Sequence, residues 1–186
     1  MMAHKVFPSA AIHMIEPQPS CAETLQRLLS HPGFFFHPVA VTSHTETVQM
    51  VTHHGGDTGA HIAWADNRHE ANLSVQGTTL DELFDARCDR DDRALLKLDL
   101  QGHEMVALQG ASRLLPKLEM VLLEVSFFQQ LGEPTIQEIV RFFDAAEFDL
   151  FDIAALSART RDGRLRQGDF VFVRRNTPLW LDRAWH

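Results

Sequence analysis

Two near-continuous apolar runs, ALLKLDL at 94–100 and MVLLEV at 120–125, set the tightest limit on this chain. A strand wet on one face alternates apolar and polar residues; a strand covered on both faces does not. Both runs are too short for helices and read as strands of a covered parallel sheet. Between them, Gly102 to Gly110 has helical spacing at Met105, Val106 and Leu108. A strand, a helix and a strand in that order form a crossover unit.

The same order opens the chain. AAIHMIE reads as a strand from Ala10 to Glu16, closed by Pro17 and Pro19. Ser20 and Glu23 have capping-box spacing ahead of a helix carrying Leu25, Leu28 and Leu29. His31, Pro32 and Gly33 stop it, and a strand is expected over 34–42. The middle differs. Short strands at 47–52, 61–64 and 72–78 have no crossover helix between them, which predicts a small antiparallel insertion over about 45–78. A short helix over 79–84 follows, with Asp81 in its first turn. Pro134 and Glu138 open a long helix, and strands are expected at 148–153 and 170–174, with an Asp162-Gly163 turn between them. The expected fold class is α/β, a mostly parallel sheet with an antiparallel C-terminal hairpin. One domain is expected over 1–186, with its core at about 10–175 and a tail at 176–186.

Composition excludes several functions. With 186 residues and 45 % hydrophobic content the chain can bury a real core. A formal charge of -8 disfavours a nucleic-acid coat. No apolar run reaches the length of a membrane span, and MMAHKVFPSAA lacks the apolar centre of a secretory signal, so a cytoplasmic protein is expected. Cys21 and Cys88 give no C-x-x-C pair, which removes a zinc ribbon. No G-x-S-x-G elbow or P-loop lysine occurs.

In open α/β sheets, ligands sit beyond the C-terminal strand ends. That rule selects Glu16, Ala40, Asp99 and Glu124. A carboxylate after the second strand of such a fold accepts hydrogen bonds from ribose hydroxyls; Glu16 fits this, or else caps the helix behind Pro17. Lys97 and Asp99 share a strand face and can pair. Gly102 permits a tight turn. Glu104 suits a helix first turn. His103 is a candidate base with a near-neutral reference pKa, or an exposed turn residue. Glu124 needs a donor or a cleft. His53-His54, Asp57 and His61 form the densest histidine cluster, read as a loop, and no metal site is assigned. Arg159, Arg161, Arg164 and Arg166 flank the hairpin turn as a solvated group or an anion grip.

The segment from Leu95 to Ser126 resembles the FkbM family of S-adenosylmethionine-dependent methyltransferases. The resemblance rests on Asp99, Gln101-Gly102-His103-Glu104, Leu108-Gln109-Gly110-Ala111 and Glu124-Val125. Upstream, IHMIEPQP resembles the family's second strand with its Glu-Pro-x-Pro signature, HPVAV its third, and TTLDELF the Leu-Asp element before its fourth. The resemblance implies an incomplete Rossmann-like class I methyltransferase sheet and methyl transfer to a hydroxyl oxygen of a small molecule or glycan-like acceptor. It implies S-adenosylmethionine as cofactor, with Glu16 on the ribose, the backbone of Ala40 near the adenine, and Asp99 facing donor and acceptor. Glu124 would border the same cleft, and a base, at Asp99 or His103, would need to reach the hydroxyl proton. Gln101 stands where the family often has Glu, keeping an acceptor and losing the charge.

The family's first strand and a loop of the kind Asp-x-Gly-Ala-Asn-x-Gly belong before the Glu-Pro strand. Only ten residues, without a glycine, precede that strand here. A longer parent chain, direct pairing of the second and fourth strands, or a partner chain such as a second copy would each fill the gap. Weak or absent cofactor binding is expected as a result. The alternative function is that of a degenerate homologue serving as a structural or interaction module.

Overall fold

The computed structural model describes residues 2–53, 59–129 and 133–181. The elements, in chain order, are α1 (Met2–Val6), β1 (Ile12–Ile15), α2 (Pro19–Leu28), β2 (Phe34–His37), β3 (Ala40–Val41), β4 (Glu46–Val51), β5 (His61–Ile62), β6 (Leu73–Thr78), α3 (Leu80–Phe84), β7 (Ala94–Leu98), α4 (Glu104–Gln109), β8 (Leu118–Ser126), α5 (Ile136–Ala145), β9 (Phe148–Arg159) and β10 (Leu165–Arg174). The protein is a mixed α/β structure. It divides into two compact units, residues 1–78 and 79–186.

In the first unit β1 and β2 form a two-stranded parallel sheet, with Ile12 opposite Phe34 and Ile15 opposite His37. The continuous strand expected over 34–42 is broken. Pro38 has no N–H for a ladder, and Val39 N donates to His37 O at 2.9 Å, a γ-turn centred on the proline. The chain resumes as β3 in a different sheet of order β3-β6-β4-β5. There β3 runs parallel to β6, while β4 runs antiparallel to both β5 and β6. The capping box expected at Ser20 is also corrected. The helix begins two residues earlier, with Pro19 in its first turn and Gln18 as N-cap, because proline's fixed φ suits that position. Glu23 is drawn instead to Arg27, one turn on, at 2.5 Å.

The second unit carries a sheet of order β7-β8-β10-β9. β7 and β8 are parallel across the α4 connection, with Leu98 opposite Leu123. β10 is antiparallel to β8 and to β9. α5 packs on β8 and β9. Phe143, Phe148, Phe170, Phe172, Leu123 and Ile139 fill the core. The hairpin turns at Gly163, whose φ of +86° a side chain rarely adopts.

Two expectations change here. The described strands pair as three separate sheets rather than one: the parallel pairings are β1–β2, β3–β6 and β7–β8, and the four antiparallel ones lie in the expected insertion and about the C-terminal hairpin. β7 is at the edge of its sheet rather than covered, and Leu95 on it is 48 % exposed.

Candidate functional site

The C-terminal ends of β7 and β8 bring together a group of acids that influence one another, Asp99, Glu104, Glu124 and Asp169. Asp99 leaves β7 directly after Leu98. Its carboxylate accepts from Lys97 Nζ at 2.9 Å and from Gln101 Nε2 at 3.1 Å. The pairing inferred from the shared strand face is present, but at a half-exposed position where an ion pair contributes little. The chain then turns through Gln101 and Gly102, with φ of 53° and 98°. Two successive left-handed residues fold the turn back over the start of α4. Glu104 sits beneath it, 3 % exposed, and accepts from Leu100 N at 2.7 Å and Gly102 N at 3.4 Å. Burial pushes the Glu104 carboxyl above its usual range, against the pull of those backbone donors. His103, the candidate base, is buried at the N-cap of α4. The exposed turn histidine is thereby excluded.

Glu124 stands opposite Asp169 in the β8–β10 register, and its carboxylate accepts from Gln167 Nε2. Its pKa is raised by burial first, then by the charges of Asp99 and Asp169. Glu104, Glu124 and Glu133 line one small cavity with Gly102, Ser126 and Pro134. Its volume is about 10 Å³, room for one water, whereas small-molecule sites measure about 300 Å³ or more. Among the described residues no three His, Cys, Asp or Glu side chains are arranged to hold a metal ion.

A folded-state pKa above the unfolded value makes protonation favour the fold. That contribution is complete below the unfolded value near 4.5 and is lost as pH rises through the raised folded value. Glu124→Gln keeps the polar shape and removes the charge. The variant is therefore expected to match the wild type at pH 4 and to exceed it at pH 7 by under ~1 kcal/mol, since the group is partly solvated. Urea unfolding at the two pH values measures this, and a variant weaker at pH 7 would show that the charge stabilises the fold.

In the first unit Glu16 follows β1. Its backbone N–H donates to His37 O at 3.1 Å, and its Oε1 accepts from Gln18 N at 2.8 Å. Gln18 is the N-cap of α2, so the helix-capping role open to Glu16 is filled. Ala40 is buried in β3, paired with Gly77 of β6. A Cβ on Gly77 would meet Thr42 Cγ2 at 2.9 Å and Glu46 O at 3.1 Å, which explains the glycine.

Of the histidine cluster, residues 54–58, including His54 and Asp57, lie outside the described residues. His61 is engaged at both ring nitrogens, by Gly59 O and Asn67 Nδ2, each at 3.0 Å. Two of the four hairpin arginines are drawn into the turn. Arg164 Nε donates to Asp162 at 2.7 Å, and Arg159 Nη1 donates to Gly163 O at 2.5 Å. Trp180 packs back, its Nε1 donating to Arg174 O at 3.2 Å and its ring meeting Phe151 at 5.1 Å. No described helix is long and apolar enough to cross a membrane.

The family model described as the methyltransferase FkbM domain matches residues 1–150. A crystal structure of a methyltransferase FkbM from Methylobacillus flagellatus KT is similar in fold, with a TM-score of 0.52 at 15 % identity. The likeness covers 92 % of this chain but only 39 % of that one. No curated protein matches the sequence.

Proposed function

The chain belongs to the methyltransferase FkbM domain family, and on that premise we propose that it is an S-adenosylmethionine-dependent methyltransferase acting on a hydroxyl oxygen of a small molecule or glycan-like acceptor. The observation that carries this reading is the span of the match. Residues 1–150 include Glu16, Ala40, Asp99, His103 and Glu124. The match also crosses the join between the two compact units, which supports one methyltransferase-like domain over both. The strand order β7-β8-β10-β9, parallel first and then antiparallel, supports a Rossmann-like class I sheet.

The donor set suits the cofactor in chemistry. A half-buried carboxylate at a strand end, as at Glu16, accepts both hydroxyls of a ribose diol. The cavity beside Glu124 is too small to hold a nucleoside, so Glu104 and Glu133 line a water-sized void rather than the donor site. S-adenosylmethionine supplies the methyl group. In the first unit Glu16 binds the ribose, with Ala40 offering backbone beside the adenine. In the second unit Asp99 orients the acceptor hydroxyl while Lys97 and Gln101 hold its carboxylate in place. Glu124 takes the hydroxyl proton: burial first, then the charges of Asp99 and Asp169, raise its pKa, which makes it a better base than an ordinary carboxylate. His103, buried behind the turn, is a reserve base that needs the turn to open.

Glu16→Ala removes the ribose acceptor while leaving β1 paired with β2. It is expected to weaken S-adenosylmethionine binding about ten- to a hundredfold, the value of hydrogen bonds to a charged group. Equilibrium dialysis with labelled cofactor measures this, and equal binding by wild type and variant removes Glu16 from the site. A second reading, a non-catalytic module on the same fold, is favoured by the small cavity. It predicts no cofactor binding by either protein.

A further inference from the structure

We infer that His13 and His37 form a two-histidine clip for a divalent transition-metal ion of the zinc class. In the parallel register His13 is opposite Phe35, and His37 lies two residues further along β2. Side chains two apart on a strand share a face, so the three rings stand together on one side of the β1–β2 sheet. His13 stacks on Phe35 with centroids 4.7 Å apart and planes 13° apart, and lies 5.3 Å from the His37 ring at 23°. His13 Nδ1 and His37 Nε2 are 3.0 Å apart.

That separation matches what one metal ion imposes. With Zn–N bonds of about 2.0–2.1 Å, two imidazole nitrogens on one ion are about 2.9 Å apart at a right angle and about 3.4 Å apart at a tetrahedral angle. In the metal-free pair one ring donates a proton and the other accepts it. The two nitrogens face each other nearly in line, so binding needs each ring to turn by roughly 40° to aim two lone pairs at a common point, and transfer through solvent of the shared proton to the donor ring's far nitrogen. No electron is moved. Both rings are half-buried, so water can complete the coordination. Imidazole selects zinc, copper or nickel and is a poor ligand for magnesium or calcium.

The clip has a structural purpose independent of the methyltransferase reading. A two-stranded sheet is marginal on its own. An ion held by His13 and His37 would tie β1 to β2 through their side chains, at the end where His37 O accepts from Glu16 N.

The test is a titration of the whole chain with zinc chloride, followed through the imidazole nitrogen resonances of its 11 histidines. The His13 and His37 signals are expected to respond together, before the others, and to saturate at one equivalent. Magnesium chloride is expected to leave them unchanged. His13→Gln and His37→Gln should each weaken this zinc binding at least about tenfold, and the double variant should bind no more weakly than either, because chelation needs both rings. The clip is overturned if other histidines respond while these two do not, if magnesium gives the same response, or if the two single losses add. The wild-type spectra decide the matter even where a variant fails to fold.

Discussion

Phe143→Ala is expected to lower the unfolding free energy by roughly 3–5 kcal/mol. The side chain is fully buried. It stacks on Phe172 of β10 with centroids 4.0 Å apart and planes 12° apart, and it meets Phe148 of β9 edge-on at 5.7 Å. One ring from α5 therefore holds two strands of the sheet. Removing it leaves a cavity walled by aromatic groups that cannot collapse inward without moving the helix. The loss is a large share of the 5–15 kcal/mol typical of a whole domain. The neighbouring Phe142, only half-buried, should cost far less. Urea unfolding measures both variants. A Phe143→Ala loss below about 1 kcal/mol would show that α5 is not anchored in this way.

Asp81→Ala is expected to cost about 2–4 kcal/mol by a different route. Asp81 is 6 % exposed in the first turn of α3. Its carboxylate accepts from Leu114 N at 2.8 Å, Arg113 N at 3.0 Å and Ser112 Oγ at 3.1 Å. In return, its own N–H donates to Gly110 O at 2.9 Å. The carboxylate closes the turn between α4 and β8 as a cap closes a helix. Alanine orphans two backbone donors, one of them buried, and each such group loses its partner without regaining water. Asparagine should rescue little, because its NH₂ replaces an acceptor where an N–H arrives. If Asp81→Ala unfolds within about 0.5 kcal/mol of wild type, the carboxylate is incidental to the turn.

The strands with strong apolar signals were legible from residues alone. Leu95, Leu96 and Leu98, then Val121, Leu123 and Val125, mark β7 and β8 within two residues at either end. The hairpin was underestimated. β9 and β10 run to Arg159 and from Leu165, far beyond the apolar stretches at 148–153 and 170–174, because their outer halves are joined by backbone bonds rather than by apolar side chains. Hydrophobic patterning carries no record of such pairing. Other misses had a signal available. Thr79-x-x-Glu82 and Thr135-x-x-Glu138 both close true capping boxes, while Ser20 and Glu23, with the same spacing, do not. Pro38 broke the third strand in plain sight.

The candidate site divides in the same way. Glu124 and Asp99 were located by the strand-end rule, and their mutual electrostatic influence follows from neighbouring strands. Glu104 reads in sequence as an acid complementing a helix dipole. Its burial depends on a turn that doubles back through Gln101 and Gly102, and a left-handed non-glycine residue leaves no mark in composition. Glu133 joins the same cavity from the segment ahead of α5, with no local pattern to announce it. The His13–His37 pair was equally hidden, since it exists only in the register of β1 against β2.

Calorimetric titration of the unaltered chain with S-adenosylmethionine addresses the methyl-donor reading most directly. The expected result is weak but saturable heat that S-adenosylhomocysteine competes away. A flat trace up to about 1 mM cofactor contradicts it.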